Sequence, residues 1–112
     1  MSDAVNYRSE ILVTAMQDMT SIVSMYLMLG SKSGAIRIKS AFDKGISQLE
    51  SFPYSGVQVP DEKLAKFGFR MLIIEKYLVF HKVFDEERKI VIYHVLNGTT
   101  DYPTLMKRIH DL

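Results

Sequence analysis

The hydrophobic period of this chain changes once, near Phe52, and that change confines it to helices in the first half and a sheet in the second. Met19, Ile22, Val23, Tyr26 and Leu27 stand at i, i+3, i+4, i+7 and i+8, and Gly30 follows where a left-handed C-terminal cap belongs. Ser31 to Gly34 supplies turn and capping chemistry. Ala35, Ile38, Ala41, Phe42, Gly45, Ile46 and Leu49 then form a second helical stripe, which Pro53 ends. The short link makes the two helices antiparallel. Ahead of them, Tyr7 to Val13 ends in Ile-Leu-Val and reads as a strand, and Thr14-Ala15-Met16-Gln17 has the form of a capping box. Met16, Met25, Met28 and Leu29 widen the apolar surface of the first helix beyond its stripe, as a core or as an adaptable contact surface.

After Phe52 the helical period is gone. Pro53-Tyr54-Ser55-Gly56 is a turn signal, and the stretch on to Lys66 reads as a loop. Three strands follow, at Phe67 to Ile74, Tyr77 to Phe84 and Lys89 to Leu96, with turns at Glu75-Lys76 and Asp85 to Arg88. Thr100 or Asp101 caps a final short helix with Leu105, Met106 and Ile109 inward. The expected fold is α+β, β-α-α-β-β-β with a helical tail: one domain over residues 1–112, a helical hairpin on a small, mainly antiparallel sheet.

Tight turns set the strand register. A two-residue Glu75-Lys76 turn pairs Ile74 with Tyr77 and Arg70 with His81, and a tight Glu86-Glu87 turn puts Val79 opposite His94. One face then carries Arg70, Leu72, Ile74, Tyr77, Val79, His81, Val83, Ile90, Ile92, His94 and Leu96. The other carries Phe69, Met71, Ile73, Leu78, Phe80, Lys82, Phe84, Lys89, Val91, Tyr93 and Val95. Both faces are apolar, whereas one helical hairpin covers one. The second must meet the C-terminal helix, a partner or a second copy of the chain, and Phe69, Met71, Leu78, Phe80, Lys82 and Tyr93 are the candidate contact residues.

Composition narrows the chemistry. There is no cysteine, hence no disulfide framework and no thiolate metal site, and the start MSDAVNYRSE lacks the layout of a signal peptide, which points to the cytoplasm. No apolar run approaches the roughly 20 residues of a membrane span. A formal charge of +1, evenly spread over both halves, excludes the uniform positive field of a nucleic-acid coat. His81, His94 and His110 lack metal-ligand spacing, and no glycine-rich phosphate loop or nucleophile elbow occurs, so neither metal nor cofactor is expected. What remains is general acid/base work with cationic support, for which Arg70, His81, Lys82, His94 and Tyr102 are the candidates. Metal-free RNA cleavage needs such groups: a base for the 2′-hydroxyl, an acid for the leaving oxygen and a cation for the phosphorane. The alternative is that the histidines are satisfied core residues and Arg70 is an anchor.

The order of elements and several short motifs together resemble the RelE/ParE toxin superfamily of bacterial type II toxin–antitoxin systems. These are Thr14-Ala15-x-x-Asp18 with Tyr26 after it, Leu49-x-x-Phe52-Pro53-x-x-Gly56, Phe69-Arg70-x-Leu72, Tyr77-Leu78-Val79-Phe80, and Val95-Leu96-x-Gly98-x-x-Asp101-Tyr102. The resemblance implies a small toxin held by a cognate antitoxin, in a toxin–antitoxin hetero-oligomer or a homo-oligomer. RelE-like members cut messenger RNA on the ribosome with basic residues on the sheet and an arginine and a tyrosine near the C-terminus. Here those positions are Phe69, Met71, Leu78 and Thr99 or Thr100, with Tyr102 kept. ParE-like members, which poison DNA gyrase, keep the strand arginine matched by Arg70 and have apolar residues where the nuclease has cations. The chain is nearer the ParE-like branch, whose activity needs no catalytic residue. A ribosome-dependent endonuclease with a rearranged site is the alternative, with Arg70 or Lys82 holding phosphate and His81 or Tyr102 moving protons. A non-toxic binding module is the third reading.

Overall fold

A computed structural model describes residues 6–112, so the expectation for the first residues of the chain lies outside the described part. The elements are β1 (Arg8–Ile11), α1 (Val13–Met28), α2 (Lys32–Ser51), β2 (Val57–Gln58), α3 (Glu62–Lys66), β3 (Arg70–Ile74), β4 (Tyr77–Phe84), β5 (Lys89–Asn97) and α4 (Tyr102–Ile109). The sheet order is β1-β5-β4-β3-β2, with β1 parallel to β5 and every other pair antiparallel. The expected α+β order is therefore present, with two elements added. The stretch read as a loop holds β2, which pairs with β3, and α3, whose N-cap Asp61 accepts a hydrogen bond from the Leu64 amide. A five-residue helix with one buried side chain, Leu64, is too short to show a period.

The helix ends follow local chemistry. Gly30 takes φ +80° after the C-cap of α1, and the Ser31 amide reaches back to the Tyr26 carbonyl, closing the turn as a Schellman motif. Ser31 then accepts from the Gly34 amide and starts α2. The Thr14 capping box does not form. Leu12 is the N-cap of α1, without a side-chain cap, and the Thr14 hydroxyl is used elsewhere: it donates to the Tyr93 carbonyl at 2.8 Å. At the other end of the chain Asp101, rather than Thr100, caps α4 by accepting from the Thr104 amide.

The α2 stripe packs as expected, with Ile38, Phe42, Ile46 and Leu49 buried against Leu72, Ile74, Tyr77, Val79, Ile90 and Ile92, and Ala35 buried as well. Phe42 meets Tyr77 edge-on at 5.7 Å, a favoured aromatic geometry. α1 is bound more loosely. Its Met19, Ile22, Val23 and Tyr26 are half-buried on this core, Ala15 alone is fully buried, and Leu27 faces solvent, against the expected stripe.

The β3–β4 register is the expected one, Ile74 opposite Tyr77 and Arg70 opposite His81, with Glu75 at φ +56° in the turn. The strand expected from Phe67 starts at Arg70, because Phe67 is the C-cap of α3 and Gly68 turns the chain at φ +96°. The β4–β5 register also holds from Phe84–Lys89 to His81–Ile92 and then breaks. Tyr93 is an extra residue, so Phe80 faces His94 and Val79 faces Val95. The bulge reverses the assignment of the strand end. His94 and Leu96, expected beneath the hairpin, lie on the opposite face, and Val95 joins the hairpin-side core.

That opposite face is not bare. Leu64 of α3 and Met106 of α4 close over Phe69, Met71, Leu78 and Phe80, and Lys107 of α4 pairs with Asp61 at 2.8 Å. The fold thus has three layers, hairpin, sheet, and a partial layer of α3 and α4. Of the residues expected inward on α4, Met106 is buried, Leu105 is half-buried and Ile109 is exposed. No helix among the described residues is long and apolar enough to cross a membrane.

Candidate functional site

The five residues expected to share acid/base chemistry fall into two groups on opposite faces of the sheet, Arg70 and His81 on one and Lys82, His94 and Tyr102 on the other. Arg70 and His81 are neighbours on β3 and β4, on the hairpin side. His81 is fully buried, and its Nδ1–H donates to the Val79 carbonyl at 3.0 Å. Nε2 then carries a lone pair with no partner among the described residues. Burial, aided by the Arg70 charge, pushes the imidazole down to about 4, so the ring is neutral at physiological pH. A base sealed in the core has no route to a substrate.

Arg70 anchors the turn after α2. Its Nη2 donates to the Gly56 carbonyl at 3.1 Å, and the guanidinium lies 5.1 Å from the centroid of the Tyr54 ring. Gly56 is needed there, since a Cβ would stand 2.6 Å from the Met71 carbonyl oxygen and 3.2 Å from the His81 ring. On the far side of the same turn, the Tyr54 and Tyr7 hydroxyls both donate to Asp85, and these two bonds hold its carboxyl below the usual carboxylate range.

Lys82 and Tyr102 lie on the other face. Tyr102 packs its ring 5.1 Å from Phe80, and burial raises its hydroxyl above the ordinary tyrosine range. Lys82 has different neighbours: its Nζ stands 4.0 Å from the Phe67 ring centroid, 4.7 Å from Phe69 and 5.2 Å from Tyr93. Beside it, His94 and His110 share a hydrogen bond between their Nε2 atoms at 2.9 Å. Such a bond requires one ring to carry the proton and the other to accept it. Burial lowers both imidazoles below the ordinary histidine range, with Lys82 adding to the effect on His110, and burial also lowers the Lys82 amine. Three proton-carrying groups therefore meet on a half-covered surface.

Sequence reasoning missed this cluster for a definable reason. His94 reaches it only because the bulge at Tyr93 turns it over, and His110 arrives from the end of α4. The signal that was present is Thr14-Ala15-x-x-Asp18. Past the end of β1, the Tyr93 carbonyl accepts from the Thr14 hydroxyl and the Val95 amide donates to Asp18 Oδ2 at 2.9 Å. The motif satisfies backbone groups on either side of the bulge, and the buried Ala15 lets α1 approach closely. Among the described residues no three His, Asp or Glu side chains converge as a metal centre requires.

The candidate contact residues divide in the same way. Phe69, Met71, Leu78 and Phe80 are buried by α3 and α4, while Lys82 and Tyr93 stay partly open. Exposed apolar surface is concentrated on α1 and the start of α2, where Val13, Met16, Met25, Leu27, Leu29 and Ile36 are uncovered and Met28 is 86% exposed. Between the two helices a groove of about 310 Å³ is lined largely by Ile11, Met16, Met19, Val23, Phe42 and Ile46. α1 carries one charged residue, Asp18, already bonded to the sheet. α1 thus leaves an apolar, nearly uncharged surface uncovered.

This architecture has solved counterparts. The toxin–antitoxin complex RelBE2 from Mycobacterium tuberculosis contains a chain similar to this one, with a TM-score of 0.62 and 18% identity over 87% of this chain and 97% of that one. The chromosomal ParDE toxin–antitoxin system from P. aeruginosa contains another, with a TM-score of 0.66 and 18% identity over 81% of this chain and 95% of that one. No curated protein matches the sequence. The model of the ParE toxin of type II toxin–antitoxin systems matches residues 10–102, from the end of β1 to the first residue of α4, and the chain therefore belongs to the ParE toxin family, within the RelE/ParE superfamily.

Proposed function

We propose that this chain is a growth-inhibiting toxin that acts by protein contact, poisoning DNA gyrase, and that a cognate antitoxin neutralises it by covering the apolar face of α1. The observation that carries this reading is the placement of His81. Its ring is fully buried on the hairpin side of the sheet, so a nuclease built on the Arg70 and His81 pair would have no accessible base. The positions where mRNA-cleaving relatives carry cations hold Phe69, Met71 and Leu78, packed under α3 and α4. The antitoxin assignment draws on the two similar structures, both toxin–antitoxin assemblies, and on the uncharged surface of α1.

A second reading is favoured by the gathering of Lys82, His94 and His110. In a ribosome-dependent endonuclease, Lys82 would hold the scissile phosphate and His110 would move a proton, with Tyr93 and Phe67 as stacking surfaces. Induction of the chain in bacteria separates the two. Loss of supercoiling or DNA breakage with intact transcripts is expected; transcript cleavage by primer extension, with normal DNA and abolished by His110→Ala, would overturn the gyrase reading.

A further inference from the structure

α4 is fastened to the sheet along its length by packing and at its far end by a bond of a different kind. Tyr102 packs on Phe80, Met106 fills the second core, and Lys107 pairs with Asp61 of α3. Past the last turn, the C-cap His110 meets the buried His94 of β5, Nε2 to Nε2 at 2.9 Å. The His110 ring also stands 5.0 Å from the Phe69 centroid and 6.0 Å from that of Tyr93. A bond between two imidazoles tolerates a limited number of protons. One ring donates its Nε2–H and the other offers a bare Nε2, so a first extra proton settles on Nδ1 of the donor ring and keeps the bond. A second takes the acceptor's lone pair, and two N–H groups then point at each other. The surroundings oppose that second proton. Lys82 of β4 presents its ammonium to His110, Tyr93 of β5 stays neutral, and the end of α3 presents the uncharged Phe67. Asp18 of α1 is the carboxylate that acts on His94, and it is already engaged with the Val95 amide.

We propose that the His94–His110 bond is an acid-operated latch: it holds the end of α4 shut while one ring keeps a bare Nε2, and opens when both rings are imidazolium, uncovering Phe67, Phe69 and Lys82. The inference is independent of which target the toxin has. Its direction follows from linkage. With the end of α4 released, both rings meet water and titrate near 6.5, whereas with it docked, burial and the neighbouring charges hold them lower. The released form therefore takes up protons first. The docked form prevails above pH 6.5 and gives way as pH falls below it. His81 gives a different response to acid, because it is buried on the hairpin side and its protonation loosens that face rather than α4 alone.

Amide exchange tests the latch, read at about pH 7.5 and about pH 5 and corrected for the intrinsic pH dependence of exchange. The His110 and Leu112 amides, bonded to the Met106 and Lys107 carbonyls, are expected to lose protection about tenfold in wild type at the lower pH, while α2 keeps its own. The two imidazole resonances should titrate together in two steps, with the loss of α4 protection following the second. His110→Phe keeps a ring against Phe69 and Tyr93 but has no proton to gain, and its α4 protection is expected to be the same at both pH values. His94→Gln, whose side-chain oxygen accepts from a protonated His110, is expected to behave likewise, and it stands in for His110→Phe if thermal melts show that variant unfolded. Unchanged α4 protection in wild type, a loss that follows the first step, or a loss shared by α2 would overturn the proposal. So would an equal loss in a folded His110→Phe or His94→Gln.

Discussion

The two faces of the sheet are built from equally apolar strands but are finished differently. Beneath the hairpin, α2 contributes four buried side chains, Ile38, Phe42, Ile46 and Leu49, to a core that also takes Tyr77, Ile90 and Ile92. On the other side two short helices supply Leu64 and Met106, and the layer gives way to Lys82, Tyr93, His94 and His110. Stability is therefore concentrated on the first face, and accessible chemistry on the second. The largest expected effect follows from this. Phe42→Ala removes a buried ring from the first face and is expected to cost about 3–5 kcal/mol. Met106→Ala on the second is expected to cost about 2 kcal/mol, since α4 is a short helix with one buried side chain and can relax into the gap. Denaturant unfolding with amide exchange checks both: exchange in Met106→Ala should rise in α4 and leave α2 protected. Equal global costs would mean that the two faces unfold as one unit.

Acid should break the first face at a single residue. His81 titrates at about 4 in the folded protein against 6.5 for an ordinary histidine, so the unfolded chain binds the proton first. Stability is complete above pH 6.5 and declines as pH falls from 6.5 towards 4. The shift corresponds to roughly 3 kcal/mol. His81→Leu keeps the site apolar and removes the proton, so its stability should lose that part of the slope. Parallel curves for wild type and variant across this range would show that the ring is not held neutral by its surroundings.

The same contrast sets what could be read from sequence alone. The hairpin face was legible because its signals are long: two helical stripes, a glycine cap, and a strand register pinned by a two-residue turn. The second face depends on short or discontinuous features. α3 has five residues, and Asp61 after Pro60 was its one visible marker. The bulge at Tyr93 carries no glycine, yet it decides on which face His94 lies, so one residue of register concealed the cluster it forms with His110 and Lys82. Arg70 and His81 were correctly paired across the strands, but parity could not reveal that the His81 ring is fully buried while Arg70 stays half-buried. Of the nuclease candidates, Arg70 and His81 are neighbours with the His81 ring buried, whereas Lys82 and Tyr102 lie on the other face and stay partly open.

Asp18 is where the bulge can be attacked directly. Its carboxylate accepts from the Val95 amide, a half-buried donor beyond the reach of β1. Asp18→Ala leaves that N–H unpaired and is expected to cost about 1–3 kcal/mol. It should also raise amide exchange at the C-terminal end of β5 and disturb the His94–His110 bond, visible as a shift in the imidazole resonances. Unchanged histidine signals would mean that the bulge holds itself and that the motif serves only to place α1.

Thr14→Val is expected to be the mildest of these changes, and the reason lies in the acceptor. The Thr14 hydroxyl donates to the Tyr93 carbonyl at an exposed position, where water can take its place and where valine conserves the side-chain volume. The expected loss is below about 1 kcal/mol, against the larger cost at Asp18, where a half-buried amide has one proton to give and less solvent to give it to. Combining the two substitutions tests whether they brace one structure. Costs that add within about 0.5 kcal/mol would describe two independent contacts. A double variant that loses clearly less than the sum would show that removing either one already releases the bulge, tying the helix motif, the register of β5 and the position of His94 into a single unit.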